Sequence, residues 1–244
     1  MSKKNFKILG CGHSESIEHF NNNALIQTTK HNVLIDCGHT IKHALHAQNM
    51  SFSDIDSVFI THVHGDHVFG LERLAYESKF KYNKKVTLYI DERIEEELWD
   101  KTLSGSLGGD SDGVYCLRDW FDIQLVRDTL TISDDIHLRL VQVKHTPNKL
   151  THGVLINEKI FYSSDTTAIP EIIEKIKFDV CFHDVTLSDW NPVHATLESL
   201  IKGYPKAIRE KIFLMSYEDH WKEYKTIVDE NFKGFAYQGQ TIKL

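Results

Sequence analysis

Cysteine, basic charge and long apolar segments are all scarce in this sequence. The 244 residues include only four cysteines. No two of these have the Cys-x-x-Cys spacing of redox motifs or zinc ribbons, so free thiols in a reducing compartment are expected. Lysine and arginine total 28 against 35 acidic residues, a formal net charge of −7. This charge disfavours a nucleic-acid-binding protein, which normally presents a basic face. No segment approaches the roughly 18 apolar residues that a membrane-spanning helix needs.

The sequence also shows no linker and no targeting segment. No apolar segment follows the lysines of the N-terminal sequence Met-Ser-Lys-Lys-Asn-Phe, which predicts no secretion signal and a cytoplasmic protein. There is no internal repeat or low-complexity linker, and 41% of the residues are hydrophobic, so we expect 1–244 to form one domain. The Gly- and Ser-rich stretch 104–113 predicts a long loop, either functional (a lid or a dimer contact) or simply solvated. A last strand is predicted near 235–243.

Metal-ligand residue types are concentrated in one short segment, Thr-His-Val-His-Gly-Asp-His, which directly follows an apolar run. Side chains alternate along an extended chain, so His62 and His64 are expected to point the same way and share one metal. Gly65 permits a sharp turn, after which Asp66 and His67 can reach a second metal nearby. Core packing does not require this density of ligands, and the segment therefore predicts a metal site.

This motif resembles that of the metallo-β-lactamase superfamily, whose members are four-layer αββα sandwiches with a metal centre between two sheets. The resemblance implies the same α/β (α+β) sandwich here. It also implies two later ligands. His145 follows the alternating run 136–143, and Asp165 follows the strand-like run 160–163. The family's arrangement implies two Zn²⁺ ions per chain, with Mn²⁺ possible. The first ion would be held by His62, His64 and His145. The second would be held by Asp66, His67 and a further histidine, and Asp165 would bridge the two ions.

The last expected ligand is where the sequence departs from the family's pattern. Ser216 stands where the family usually has a histidine, just after a late strand. His220 is the only histidine beyond that point, so we expect it to complete the second metal site. The alternatives are a more weakly held second metal, a contribution from Asp219, or a His220 that lies at the surface near a helix start.

A second set of residues resembles the tRNase Z branch of the superfamily and its phosphodiesterase relatives. The segment Phe-His-Asp-Val-Thr contains Asp184, and ten residues later Pro-Val-His-Ala-Thr contains His194. In that branch the acidic residue orients the histidine, which helps to protonate the leaving oxygen. The resemblance therefore implies Asp184 and His194 as catalytic residues beside Asp66. Alternatively, His194 caps the helix expected near Thr196. Asp36 is a plausible partner for a ligating imidazole, or a turn former.

Among smaller members of this branch, the chain resembles phage anti-Pycsar phosphodiesterases, which destroy cyclic nucleotide defence signals. The resemblance implies hydrolysis of cyclic mononucleotides by a hydroxide that two metals activate, in the host cytoplasm if the gene is a phage's. It also implies a homodimer. Base contacts are expected from aromatic or loop residues such as Tyr115, Trp120 or Trp190, and the alternative for each of these three is a place in the core.

Two other functions remain open at this point. One is an RNA 3′-end endonuclease of the tRNase Z type, although no long basic arm for tRNA is visible in the sequence. The other is a non-enzymatic binding protein with a degenerate metal site, for which Ser216 is the only support.

Overall fold

The computed structural model describes residues 4–111 and 113–244. In these ranges the strands are β1 (Asn5–Gly10), β2 (Asn23–Gln27), β3 (Asn32–Ile35), β4 (Ser57–Phe59), β5 (Val86–Asp91), β6 (Gly109–Asp110), β7 (Gly113–Val114), β8 (Phe121–Val126), β9 (Thr129–Ser133), β10 (Ile136–Val143), β11 (Thr151–Ile156), β12 (Ile160–Tyr162), β13 (Val180–Asp184), β14 (Ile212–Met215), β15 (Gly234–Phe235) and β16 (Thr241–Lys243). The α-helices are α1 (Ile41–Ala47), α2 (Gly65–Val68), α3 (Leu71–Tyr76), α4 (Glu95–Leu98), α5 (Ser104–Leu107), α6 (Leu117–Trp120), α7 (Pro170–Ile173), α8 (Leu197–Gly203), α9 (Lys206–Arg209) and α10 (Lys225–Asn231). Short 3₁₀ and π-helical segments add Phe52–Asp54, Glu92–Ile94, Trp221–Tyr224, Glu77–Lys81 and Trp99–Leu103.

Two seven-stranded sheets dominate this architecture. The first has the strand order β16-β1-β2-β3-β4-β5-β8 and the second β15-β14-β13-β12-β11-β10-β9. Strands β6 and β7 form a separate two-stranded hairpin. None of the helices in the described ranges is both long and apolar enough to cross a membrane.

Alternating apolar side chains explain why the sheets stack and why helices cover them. In β3, Val33 and Ile35 pack into the core between the sheets, whereas Leu34 packs into a second core with Ile41 and Leu45 of α1. A strand buried on both faces must carry apolar residues at successive positions, and β3 does. Leu197 and Leu200 of α8 are buried in one cluster with residues of the second sheet, among them Phe182 of β13 and Leu214 of β14. The four-layer αββα sandwich predicted from the motif is confirmed.

One edge of the sandwich collects the ends of several strands. Strands β3, β4 and β5 run parallel to one another, and β1 has the same direction because it is antiparallel to β2, which is antiparallel to β3. In the second sheet β12, β13 and β14 are parallel, and β10 shares their direction through β11. The carboxyl ends of parallel strands lie at the same edge, so the loops that follow these strands meet there.

Two sequence predictions need revision in the fold. The strand predicted near 235–243 is divided between the sheets, because β15 pairs with β14 and β16 pairs with β1. The Gly- and Ser-rich stretch is only partly a loop, since α5 and the β6–β7 hairpin lie within it; its residue 112 lies outside the described ranges.

Candidate metal centre and proton relay

The histidine motif leaves the sheet edge in two different backbone conformations. The chain is still extended at His64, with φ −121° and ψ 158°, and becomes helical at Gly65, the first residue of α2. Asp66 and His67 therefore lie in α2 rather than in the extended segment, and the ring of His67 lies 4.1 Å from that of His62. A Cβ on Gly65 would lie 2.5 Å from the ring of Phe69, an exposed side chain that would have to shift.

Three imidazoles converge to form the first ligand group. The Nε2 of His62 lies 3.0 Å from the Nδ1 of His64, and the Nε2 of His145 lies 3.2 Å from the same atom. Nitrogens bound to one tetrahedral Zn²⁺ at 2.0–2.1 Å are about 3.3 Å apart. His145 arrives from the loop after β10 and is oriented by its Nδ1, which donates to the carbonyl of Val193 at 2.9 Å. These nitrogens are therefore spaced as a metal requires.

Burial keeps two of these histidines in the form that binds metal. Burial, reinforced by neighbouring imidazolium charge, lowers the pKa of His62 well below its ordinary value. Burial and the nearby His145 lower the pKa of His64 to about 4. Both rings are consequently neutral near pH 7, and neutral imidazole is the ligand that divalent metals bind.

The second ligand group is built from carboxylates around His67, and His62 adjoins it as well, because donor atoms of His62, His67 and Asp165 lie within 4.8 Å of one another. The Nε2 of His67 lies 3.3 Å from an oxygen of Asp66 and 3.3 Å from an oxygen of Asp165. Asp165 follows β12 and reaches the group because Ser164 adopts a left-handed conformation, φ 54°. The same Asp165 oxygen is 3.9 Å from the Nε2 of His145. Asp165 therefore adjoins both groups, which is the position that a bridging ligand needs.

The charges in the second group call for a cation. Burial opposes a charge on His67, but Asp165, Asp66 and Asp36 outweigh it and raise its pKa well above the ordinary value. The His67 Nε2 and one Asp165 oxygen are buried without a hydrogen-bond partner. Polar atoms in that state cost free energy unless something binds them. Imidazole and carboxylate donors suit Zn²⁺ or Mn²⁺, so the residues fit divalent metal.

Asp36 stabilises this arrangement from behind. It lies fully buried after β3, with φ 63°, and its Oδ2 accepts from the Nδ1 of His67 at 2.8 Å. Its Oδ1 accepts from the backbone N–H of Thr61 at 2.9 Å. Holding the Nδ1 proton of His67 leaves Nε2 as the atom that faces the ligands. Gly38 permits the close approach behind it, because a Cβ there would lie 1.8 Å from the carbonyl oxygen of Asp66.

Asp184 and His194 form a buried pair beside the cluster. The Nδ1 of His194 lies 2.7 Å from Asp184, at the end of β13, and the same Asp184 oxygen accepts from the N–H of Thr166 at 2.8 Å. Burial opposes a charge on His194, but the Asp184 carboxylate prevails and raises the pKa of His194 to about 9. A donor atom of His194 also lies within 4.8 Å of those of His145 and Asp165. The alternative role of His194 as a helix cap is not seen, because the Thr196 side chain caps α8.

The structure does not bring His220 to the ligand groups. His220 is exposed and directly precedes the 3₁₀ segment Trp221–Tyr224. Its ring contacts that of Tyr224, with centroids 5.7 Å apart. The neighbouring Asp219 explains this placement, since it binds the loop that follows β1: its oxygens accept from the N–H groups of Ile17 at 2.8 Å and Glu18 at 3.2 Å. This anchor leaves His220 at the surface and occupies Asp219 as well. The prediction that His220 is a ligand is therefore corrected. Ser216, at the position where the family usually has a histidine, is buried just after β14.

A cavity of about 340 Å³ opens over the site. Its wall contains His64, Asp66, His145, Asp165 and His194, and also residues that the sequence did not single out. Two of these are His13, from the loop after β1, and Asn191, whose side-chain nitrogen lies 3.2 Å from the Nε2 of His13. Cys11, His13 and Glu15 are potential ligand types at alternate positions, but the buried Cys11 thiol contacts Tyr217 and none of the described ligand groups includes His13. Only the shared sheet edge brings it to the cavity.

The cavity also separates the three aromatic candidates. Trp190 lies on its wall and is 63% exposed. Trp120 is buried in the core outside the first sheet, where its indole N–H donates to the carbonyl of Leu107 at 3.0 Å. Tyr115 packs on Trp120, with ring centroids 5.3 Å apart.

Comparison with known proteins was made on sequence and on fold. A family profile described as "Anti-Pycsar protein Apyc1" matches residues 4–242. A protein of that name from Paenibacillus sp. (strain J14) is 38% identical over 90% of this chain and 91% of its own length. Another, from Bacillus phage BSP38, is 30% identical over 98% of this chain and 97% of its own length.

Solved structures share the fold at low sequence identity. A diphosphatase of the PhnP family has a TM-score of 0.77 at 17% identity, covering 99% of this chain and 98% of the other. The short form of human tRNase Z has a TM-score of 0.66 at 17% identity, covering 98% of each chain. These likenesses support the metallo-β-lactamase fold, and the family assignment rests on the sequence relatives.

Proposed function

This chain belongs to the anti-Pycsar Apyc1 family, and we propose that it is a metal-dependent phosphodiesterase that opens the phosphate ring of cyclic mononucleotides. The observation that carries the proposal is the position of His194. This imidazole is charged at neutral pH through Asp184, and it lies within 4.8 Å of ligand atoms of the metal cluster. Cationic groups that converge on one point suit an anionic phosphodiester, and a charged imidazole suits a leaving alkoxide.

In the proposed reaction, Asp184 orients His194, and His194 transfers a proton to the leaving oxygen. Asp184 accepts from the Nδ1 of His194, which leaves the Nε2 proton free to face the cavity. Bound divalent metals would lower the pKa of water and neutralise charge on the phosphoryl oxygens. As water oxygen joins phosphorus, the ribose oxygen departs with the Nε2 proton, and the proton lost from water returns His194 to its charged form through solvent. The product is a nucleoside monophosphate.

Size and charge favour a small nucleotide over RNA. The cavity volume of about 340 Å³ lies at the lower end of the range for small-molecule sites. Its described wall includes Glu15 and no lysine or arginine. The chain's net charge of −7 also lacks the basic excess that holds a long polyanion. Together with the relatives' name, this supports a role in counter-defence against cyclic nucleotide signals.

The test is turnover of a panel of purine and pyrimidine 3′,5′-cyclic mononucleotides by the purified, zinc-loaded protein. The panel is run beside His64→Ala and His194→Ala variants, with metal content measured on every sample and a tRNA precursor as the RNA arm. We expect ring opening by the wild type, no turnover by the His64 variant, and a loss of about 10²–10⁴-fold in the His194 variant, the usual contribution of general acid catalysis.

Each other outcome contradicts a definite part of the proposal. Two bound metals with no hydrolysis of any cyclic nucleotide would exclude this substrate class, and cleavage of the tRNA precursor would indicate the endonuclease. Metal content well below one ion per chain after loading would instead favour a non-enzymatic binding protein.

A further inference from the structure

The cavity has a second wall that the metal cluster and the proton relay do not use. This wall is formed by two loops, one after β1 and one between β13 and α8, and it contains His13, Glu15, Trp190 and Asn191. No described ligand group includes any of these residues. The wall therefore needs an explanation of its own.

His13 is held rigidly at this wall. It is 3% exposed, and its backbone N–H donates to the carbonyl of Tyr217 at 3.0 Å. Its Nε2 lies 3.2 Å from the side-chain nitrogen of Asn191, itself only 7% exposed. The His13 ring lies 5.2 Å from the ring of His194, which in turn lies 4.9 Å from that of His145. A ligand whose phosphate lies at the cluster and whose leaving oxygen lies at His194 would pass His13 next.

Trp190 lies one residue from Asn191, and its exposure is unusual for so large an apolar side chain. It is 63% exposed, whereas Trp120 is 2% exposed within the core. An indole at the mouth of a polar cavity offers a flat face to a ligand. Base stacking on such a face contributes about 1–3 kcal/mol per base and does not depend on which base is bound.

We infer that Trp190, Asn191 and His13 form the nucleoside subsite of this cavity. Trp190 stacks on the base. The Nε2 of His13 is held by Asn191, and its Nδ1, whose only contacts in the described ranges are long ones of 3.4 Å with the Oγ of Ser14 and the backbone nitrogen of Glu15, hydrogen-bonds to the sugar. The inference rests on the proposed function for the location of the phosphate, but it concerns binding and can be measured without turnover.

The experiment compares two probes on the zinc-loaded protein, uridine 5′-monophosphate and ribose 5-phosphate, which lacks the base. Dissociation constants are measured by calorimetry for the wild type and for Trp190→Ala, Trp190→Phe, His13→Ala and Asn191→Ala. Trp99→Phe is the control, because Trp99 lies outside this cavity and is partly buried against the outer core. Metal content and the unfolding temperature are measured for every variant.

The two parts of the subsite predict different patterns. Trp190→Ala should weaken uridine monophosphate binding by about 5- to 150-fold and leave ribose 5-phosphate unchanged, while Trp190→Phe keeps most of the affinity. His13→Ala should weaken both probes by about 2- to 13-fold, the effect of one hydrogen bond, and Asn191→Ala should act in the same direction. Trp99→Phe should match the wild type, and tryptophan fluorescence quenched by uridine monophosphate should persist in it but not in Trp190→Phe.

Three results would overturn the inference. Equal affinity of wild type and Trp190→Ala for uridine monophosphate would remove the stacking role. An equal loss for both probes in Trp190→Ala would show that the indole does not recognise the base, and unchanged binding in both His13→Ala and Asn191→Ala would remove the sugar contact. Cyclic nucleotide hydrolysis together with any of these results leaves the proposed function intact, whereas nucleotide binding without hydrolysis contradicts the function alone.

Discussion

The two halves of the ligand cluster differ in charge. The first group consists of the imidazoles of His62, His64 and His145. Burial and repulsion from neighbouring imidazoles lower the pKa values of His62 and His64 and keep these two rings neutral. The second places one imidazole, His67, among carboxylates that raise its pKa. The first group thus offers neutral imidazole ligands to a metal. In the second group, the negative carboxylates favour a proton on His67, at the place where a metal would bind. The difference implies that protons compete with metal more strongly in the second group.

The largest effect is expected from removing the shared nitrogen of the first group. His64→Ala takes away the atom that lies 3.0 and 3.2 Å from its two partners. Losing only a residue that hydrogen-bonds to a ligand typically costs about 10–100-fold, so losing the ligand itself should lower turnover by about 10³-fold or more. Metal analysis should show the loss of about one ion per chain. Full metal content would contradict the assignment of the first group.

Asp184→Asn should have the next largest effect and should leave both ligand groups in place. Without the carboxylate, the pKa of His194 falls from about 9, and we expect turnover to drop by about 10²-fold. The wild-type ring keeps its proton up to about pH 9, so turnover should decline on the alkaline side near that pH. In the variant this alkaline decline should move to lower pH. An NMR titration of His194 in the chelated protein measures the shift directly, and an unchanged pKa would contradict the relay.

Asp36→Asn tests the second group selectively. The carboxylate orients His67 from 2.8 Å away, and loss of such a partner typically weakens metal binding by about 10–100-fold. The weakening should affect one of two metal-binding steps in a calorimetric titration. It should be smaller at pH 6 than at pH 8, because removing the Asp36 carboxylate also lowers the pKa of His67 and so reduces competition from protons at low pH. Equal weakening of both steps would mean that the two groups are not energetically separate.

His220→Ala should have the smallest effect. Because the ring is exposed and contacts Tyr224, we expect the variant to match the wild type within about twofold in turnover and within about 0.5 kcal/mol in the free energy of unfolding. Metal content and urea denaturation are the measurements. A loss of one metal ion would return His220 to the cluster.

The sequence by itself determined the residues whose geometry is local. His62 and His64 follow from the two-residue period of an extended chain, and Asp66 and His67 from the change to helix immediately after it. His145, Asp165 and Asp184 could be named because each lies at or just after the end of a readable strand, in the order that the family resemblance required. His194 could be named from the segment Pro-Val-His-Ala-Thr that the resemblance identified. The sandwich was predictable for the same reason, although the late strand predicted as one element is divided between two sheets.

Only the tertiary structure decided which distant loops share the sheet edge with these residues. His13 was not singled out from the sequence, yet the direction of β1 places it at the cavity. The contacts of Asp219 with the neighbouring loop leave His220 outside. Trp190 and Trp120 are the same residue type in sequence, but one lines the cavity and the other fills a core. The physical reason is that spacing along a chain fixes neighbours within a few residues, whereas contacts between loops depend on strand order, direction and packing across both sheets.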